Sequence, residues 1–84
     1  MKLLIGEQAR KDLAYWNRHD QTKTMRIRAL IESIMQTPYS GLGKPEPLKH
    51  DLAGYWSRRI NREHRLVYKV TEDAVTVASC RFQY

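Results

Sequence analysis

The spacing of apolar residues changes along this chain, from a helical period in the first half to alternation in the second. Ala9, Leu13 and Trp16 recur three or four residues apart and predict a helix over Glu7–His19. A second stripe with the same period comprises Ile27, Leu30, Ile31 and Ile34. Each stripe gives its helix one apolar side, so the pattern predicts two amphipathic helices that bury those sides together.

The signals at the helix ends indicate that the two helices form a hairpin. Asp20 or Thr22 can cap the second helix, because a short side-chain oxygen at this position accepts a hydrogen bond from a free backbone N–H. Pro38 ends that helix, since proline cannot continue the hydrogen-bonding pattern. The short joint between the two helices is typical of an antiparallel pair.

Four further segments have the composition or alternation of strands. They cover residues 1–5, 55–60, 64–70 and 74–82. Residues 39–54, rich in Gly and Pro, are predicted to form a loop, and loops of this length in small domains are usually functional or disordered. The expected fold is α+β with the order β-α-α-β-β-β, a two-helix hairpin packed on an antiparallel sheet. We expect residues 1–84 to form a single domain.

The short turn after residue 60 predicts a register for the last strands. If Ile60 lies opposite His64, then Arg59 lies opposite Arg65 on the same face. A three-residue turn at the next hairpin then places Arg81 opposite Arg65. Val67, Val75 and Val77 share that face in this register. A row of like charges is unfavourable unless an anion or water screens it, and a shift by one residue turns the arginines to the other face.

The charge of the chain favours an anionic partner. The 84 residues carry a formal net charge of +6 and have a sequence pI of about 9.8. Residues 41–66 are the most basic part, with six Lys and Arg against three Asp and Glu. Such a surface attracts nucleic acid, and it attracts an acidic protein equally well.

The cysteine and histidine content argues against several classes of protein. Cys80 is the only cysteine and cannot form a disulfide within the chain, which suits a reducing cytoplasm. It lies in an apolar strand pattern, so we expect a buried small side chain rather than a nucleophile. The sequence shows no metal-ligand spacing, and we expect no signal peptide, membrane span or cofactor.

One carboxylate stands among cations in the segment from residue 43 to residue 65. Glu46 lies between Pro45 and Pro47, which restrict its backbone. The neighbouring basic residues are Lys49, His50, Arg58, Arg59, Arg62, His64 and Arg65. A carboxylate can remove a proton while cations stabilise charge on a phosphate, so the group suits general-base cleavage of RNA. It also suits a solvated basic loop that only contacts nucleic acid.

Four segments of this chain together resemble the YoeB toxins of the RelE-like superfamily, which are ribosome-dependent mRNA interferases of toxin–antitoxin systems. The segments are GKPEPLKH (residues 43–50), GYWSRRI (54–60), EHRLVY (63–68) and CRFQY (80–84). The resemblance covers the whole chain. It implies that Glu46 is the general base and that Arg65 stabilises the phosphate. It also implies a terminal catalytic pair, here Gln83 and Tyr84, in which Tyr84 stacks on an exposed base.

Gln83 departs from the family pattern, which has a histidine here as the general acid. An amide has no proton to give near neutral pH, so we expect weaker cleavage than with histidine, by up to roughly 10²–10⁴-fold. Three explanations remain open at this point. Another group such as His50 or His64 is the acid, water or a ribosomal group supplies the proton, or the chain binds without cutting.

The resemblance also implies the partners. We expect an antitoxin of the YefM type, whose flexible acidic segment folds on binding, together with the ribosome, mRNA and a possible homodimer. Phosphates are expected to be bound by Lys49, His50, Arg58, Arg59 and Arg62. A third class of function is a small basic protein that binds only its acidic partner.

Overall fold

The computed structural model describes residues 1–82, which form two helices on one mixed sheet. The elements in chain order are β1 (Lys2–Ile5), α1 (Glu7–His19), α2 (Gln21–Gln36), β2 (Glu46–Pro47), a 3₁₀ turn (His50–Leu52), β3 (Tyr55–Arg59), β4 (Arg65–Val70) and β5 (Ala74–Ser79). Every predicted helix and strand is therefore present, and β2 is an addition. No helix within the described residues is long and apolar enough to cross a membrane.

The helical hairpin forms as the sequence predicts. Asp20 is the N-cap of α2, and its carboxylate accepts a hydrogen bond from the backbone N–H of Thr22. Hydrogen bonds from the Thr22 side chain and from Lys23 lower the pKa of Asp20 to about 2. The α2 helix ends at Gln36, just before Pro38. The two helices therefore begin and end where local side-chain chemistry favours it.

The sheet has the strand order β1-β5-β4-β3-β2, and β1 runs parallel to β5. The prediction of a purely antiparallel sheet is wrong in this respect. Hairpin turns join β3 to β4 and β4 to β5, and a hairpin forces antiparallel pairing. Most of the chain lies between β1 and β5, so no turn imposes a direction on that pair.

The register between β3 and β4 is the predicted one, and an irregularity shifts the next pair. Arg59 lies opposite Arg65, and Ile60 donates its backbone N–H to the carbonyl of His64 over 3.0 Å. Between β4 and β5, Tyr68 pairs with Val77 and Val67 pairs with Ser79. One extra residue, Ala78, therefore stands in β5 as a bulge.

The register next to the β4–β5 turn decides which valines share the face with the arginines. Leu66 and Tyr68 belong to the core between helices and sheet, so Val67, which alternates with them, faces the other way. Val75 and Val77 also belong to the core. The prediction that these two valines share the face of Val67 is wrong, because the β4–β5 turn places Val75 opposite Val70 and Val77 opposite Tyr68, one residue away from the predicted register.

The core lies between the helical hairpin and one face of the sheet. Its buried residues are Ala9, Trp16, Ile27, Leu30, Ile34, Ile60, Leu66, Tyr68, Val75, Val77 and Cys80. Trp16 and Cys80 are thus core residues, as predicted, and the indole Nε1 of Trp16 donates to the Cys80 carbonyl over 2.8 Å. Asp12 accepts a hydrogen bond from the Cys80 N–H over 2.9 Å. We call the other face, which the helices do not cover, the open face.

Candidate active site

Glu46 and Arg65 meet on the open face, as the sequence predicts. Glu46 lies opposite Ser57, which in turn pairs with Val67, so all three project from the same face. Arg65 lies two residues before Val67 and shares that side. Its Nη1 is 3.3 Å from Oε1 of Glu46. The carboxylate is half exposed (51%) while the guanidinium side chain is largely covered (17%), so a ligand has access to the acid.

The Gly- and Pro-rich loop holds Glu46 by pairing with β3. The N–H of Arg59 donates to the Gly43 carbonyl over 2.7 Å, and the N–H of Leu48 donates to the Tyr55 carbonyl over 2.9 Å. Between these bonds lies β2, the edge strand of the sheet, in which Pro47 is opposite Trp56 of β3. An edge strand tolerates proline, which lacks an N–H. Glu46 is therefore part of a short strand and not of a free loop.

Beside this pair, arginines line a cleft of about 440 Å³. Its lining residues are Arg26, Arg59, Ile60, Asn61, Arg62 and Arg65. Arg59 and Arg62 are exposed, and Arg65 extends from the cleft to Glu46. Arginine binds phosphate well because its planar N–H donors match two oxygens at once. The cleft is thus a strongly cationic concave surface near the candidate base.

Lys49 and His50 share a groove with Glu46. This second groove has a volume of about 300 Å³ and is also lined by Pro47 and Leu48. Both side chains are exposed. Of the two histidines suggested by the sequence as a substitute acid, His50 is therefore the one that shares a groove with the candidate base.

His64 has a structural role in this fold. Its Nδ1 accepts a hydrogen bond from the backbone N–H of Phe82 over 2.7 Å. Its ring packs edge-on against Trp16, with centroids 4.8 Å apart. The Phe82 backbone and the Trp16 ring thus hold the imidazole in place. The structure therefore favours a structural reading of His64 over a role as the acid.

Arg58 does not bind phosphate, and this prediction is wrong. The residue is completely buried, and its five N–H groups donate five hydrogen bonds. The acceptors are the hydroxyls of Tyr68 and Ser33 and the carbonyls of Leu42, Thr37 and Ser40. Strand alternation points Arg58 to the helices and the neighbouring Arg59 to the open face.

Arg81 does not continue the predicted arginine row. Its guanidinium carbon lies 3.4 Å from the centroid of the Tyr15 ring on α1. The row on the open face therefore contains Arg59 and Arg65 but not Arg81. Gln83 and Tyr84 lie outside the described residues, so their predicted roles remain predictions.

Arg26 lines the cationic cleft, although the sequence pattern did not predict it. It lies on α2 in line with Leu30, Ser33 and Thr37, at intervals of three or four residues. Ser33 and Thr37 contact Arg58, while Arg26 donates from Nη2 to the Arg59 carbonyl over 3.2 Å. This stripe is mostly polar, so a search for apolar periodicity does not reveal that it faces β3 and its flanking loop.

The whole chain is similar to known toxins. Residues 5–84 match the family model of the YoeB-like toxin of bacterial type II toxin–antitoxin systems. Toxin YoeB of Escherichia coli K12 is 50% identical over 84 residues, with complete coverage of both chains. The solved YoeB/ParE toxin from Agrobacterium tumefaciens is 48% identical, with a TM-score of 0.97 and complete coverage of both chains.

Solved structures of YoeB from Staphylococcus aureus add information about assembly. One is a dimer, 41% identical to this chain with a TM-score of 0.92. Another is a YoeB–YefM complex, 40% identical with a TM-score of 0.91. Both alignments cover 100% of this chain and 98% of the other. On its full-length similarity, the chain belongs to the YoeB-like toxins of bacterial type II toxin–antitoxin systems.

Proposed function

We propose that this toxin is an endoribonuclease that cuts mRNA bound in the ribosomal A site and thereby inhibits translation. The observation that carries the proposal is the approach of Arg65 to Glu46 on the open face, 3.3 Å apart, beside an arginine-lined cleft. A base and a phosphate-binding cation must act within one ribose–phosphate unit, and these two groups are close enough to do so.

The proposed reaction uses the 2′-hydroxyl of the RNA as nucleophile. Glu46 removes its proton while the 2′-oxygen forms a bond to phosphorus, and Arg65 stabilises the added negative charge. The bond from phosphorus to the 5′-oxygen then breaks, and that oxygen takes a proton. The products are a 2′,3′-cyclic phosphate and a free 5′-hydroxyl. Every step uses side chains, water and RNA, and no metal or cofactor is part of this scheme.

Primer extension on mRNA in a translation extract tests this site. Glu46→Gln keeps the shape of the side chain but removes the base, and we expect it to suppress codon-dependent cuts, typically by about 10²–10⁴-fold. Glu46→Ala combined with Arg65→Ala should abolish them. Glu32→Gln, on the exposed part of α2, is the matched control and should cut like the wild type. Cuts that persist in the double variant would disprove this site.

A second candidate is a toxin that binds without cutting, and Gln83 is the observation that favours it. In that case Gln83→His should create cleavage in a protein that has none. If the wild type already cuts, the same substitution should only increase the rate, and His50→Ala then tests whether the imidazole in the groove of Glu46 supplies the proton. Cleavage by the wild type at the rate of the Gln83→His variant would rule out the binding-only candidate.

The proposed partners follow from the family and the charge. We propose that an antitoxin of the YefM type binds this chain, because a YoeB–YefM complex is known for a relative and a chain of net charge +6 suits an acidic segment. A homodimer is proposed from the dimeric relative. Since the proposed substrate is ribosome-bound mRNA and the only cysteine is unpaired, the proposed location is the cytoplasm.

A further inference from the structure

Arg26 brings a cation from α2 to a cleft whose other arginines come from β3, β4 and the turn between them. Its Nη2 donates to the carbonyl of Arg59, and its side chain is half-buried. The salt bridges found among residues 1–82 do not include Arg26. This guanidinium is therefore held in place by a carbonyl while its charge is not neutralised within the described part of the chain.

The lining of the cleft is cationic on several sides. Four of the six lining residues are arginines, the other two are Ile60 and Asn61, and no carboxylate is among them. Its volume of about 440 Å³ is within the range of roughly 300–1,000 Å³ that is typical of small-molecule sites. A concave surface of one charge concentrates ligands of the opposite charge. The lining thus favours a phosphate group together with its sugar.

We propose that this cleft holds a second backbone phosphate of the RNA, next to the phosphate that is cut, and that Arg26 binds it. The proposal rests on the proposed function, which places the reacting phosphate at Arg65, beside Glu46. Arg65 both lines the cleft and approaches Glu46, so a strand that crosses Arg65 continues from the reacting centre into the cleft. Arg26 then fixes the path of the strand without touching the reacting atoms.

The hydrogen bond that holds the Arg26 side chain in place matters for binding. This bond to the Arg59 carbonyl restricts the side chain before the ligand arrives. Less side-chain freedom is then lost on binding, and a preorganised contact binds more tightly. A purely structural role, in which Arg26 only satisfies this carbonyl, is the competing explanation, and the experiment must separate the two.

The test is a double-mutant cycle between arginines and single RNA linkages. The probes are RNA oligonucleotides of one sequence, blocked against cleavage by 2′-O-methyl groups, each with one neutral methylphosphonate linkage at a different position. Arg26→Ala should weaken binding of the fully charged probe about tenfold. On the probe whose linkage occupies the cleft, the same substitution should have little effect, within about twofold, because the interaction is already missing.

Several controls make the result specific. Arg28 lies on the same helix as Arg26 but lines a different groove. Arg28→Ala should therefore lower the affinity for RNA much less than Arg26→Ala. Arg26→Gln provides a second variant if Arg26→Ala is poorly folded, and thermal unfolding of each variant is measured. Arg65→Ala is carried through the same cycle, and it should couple to a different linkage from Arg26.

Each outcome decides the proposal. Coupling of Arg26 to one linkage, adjacent to the one coupled to Arg65, supports it. Three results would overturn the proposal. Equal loss of affinity on all probes means that Arg26 has a structural role, and coupling of both arginines to the same linkage means that there is a single phosphate site. Absence of binding by the wild type means that there is no RNA site. Cleavage is measured separately in the translation extract. A protein that shows the coupling but does not cut would therefore disprove only the nuclease proposal.

Discussion

At the scale of single residues, Arg58 and Arg59 show how one step along a strand changes the role of an arginine. Arg59 is exposed on the open face, whereas Arg58 is buried and binds five oxygens from α2, the loop after it and β4. Tyr68 accepts from Arg58 and donates to the Pro38 carbonyl over 2.7 Å. Burial raises the pKa of Tyr68, and the neighbouring Arg58 partly offsets this effect.

We expect Arg58→Lys to destabilise the protein strongly. A lysine has three N–H donors on one nitrogen and cannot reach five acceptors arranged around a planar group, so several buried carbonyls lose their partner. The free energy of unfolding should fall by roughly 3 kcal/mol or more. Chemical denaturation measures the change. Arg59→Lys is the matched control, and it should alter stability by less than about 0.5 kcal/mol; equal effects of the two variants would contradict this account.

Cys80 is expected to be chemically inert in the folded protein. Burial raises the pKa of its thiol to about 12, and the Asp12 carboxylate adds to the shift. Only the thiolate reacts with iodoacetamide, so we expect no alkylation at pH 8 until the protein is unfolded. An introduced surface thiol, Ser40→Cys, serves as the reactive control. Rapid alkylation of Cys80 in the native protein would show that the residue is accessible.

The same shift predicts how stability depends on alkaline pH. The folded pKa lies above the ordinary value of 9.0, so the protonated thiol favours the folded state. This contribution is fully present below about pH 9 and is lost as the pH rises towards 12. Comparison with Cys80→Ala isolates it, because the stability difference between wild type and variant should shrink over this range.

At the scale of elements, the loop that carries Glu46 depends on one close approach between backbone and core. Gly43 has φ +85°, and a Cβ at this position would lie 2.7 Å from Cδ2 of Leu30 on α2. Its carbonyl also accepts the hydrogen bond from Arg59 that attaches the loop to β3. The place of Glu46 in the site therefore depends on the fit of Gly43 against α2.

Gly43→Ala should cost more stability than Gly54→Ala. Both glycines have positive φ, which strains an alanine by about 1–2 kcal/mol. Around Gly54 a Cβ meets nothing within 4 Å, whereas at Gly43 it also clashes with Leu30, which adds roughly 1–3 kcal/mol. Thermal or chemical unfolding measures both variants. We further expect cleavage to fall for Gly43→Ala more than for Gly54→Ala; the reverse order of stability would contradict the role assigned to this packing.

At the scale of the whole molecule, the apolar core and the cationic surface lie on opposite faces of the sheet. The helices cover one face of the sheet, and the other face carries Glu46, Arg59 and Arg65. In the proposed function, the net charge of +6 attracts RNA from a distance before individual phosphates are contacted. Such binding depends on salt, because each contact releases counterions.

The salt dependence separates the RNA-binding hypotheses from a protein that binds only an acidic partner. With contacts from Arg26, Arg59, Arg62 and Lys49, the logarithm of the RNA affinity should fall with the logarithm of salt concentration with a slope of about −3. Fluorescence anisotropy between about 50 and 200 mM salt measures it. A chain that binds only its antitoxin should show no affinity for RNA or ribosomes over this range.

The sequence predicted the features that depend on neighbouring residues. The apolar stripe through Ile27, Leu30 and Ile34, the Asp20 cap and the β3–β4 register are all confirmed, because periodicity, capping and short turns act over a few residues. The approach of Glu46 to Arg65 was also anticipated, in this case from the resemblance to the YoeB toxins. Recognition of motifs thus supplied a contact that local pattern alone does not specify.

The tertiary structure alone decided the features that depend on distant segments. The parallel pairing of β1 with β5, the burial of Arg58 and the contact from Arg26 each join residues far apart in the chain. A periodic pattern shows that a side chain shares a face with its neighbours, but it does not show what that face meets. The partner segments fix that, because burial and hydrogen-bond geometry are set only when the helices and the sheet pack together.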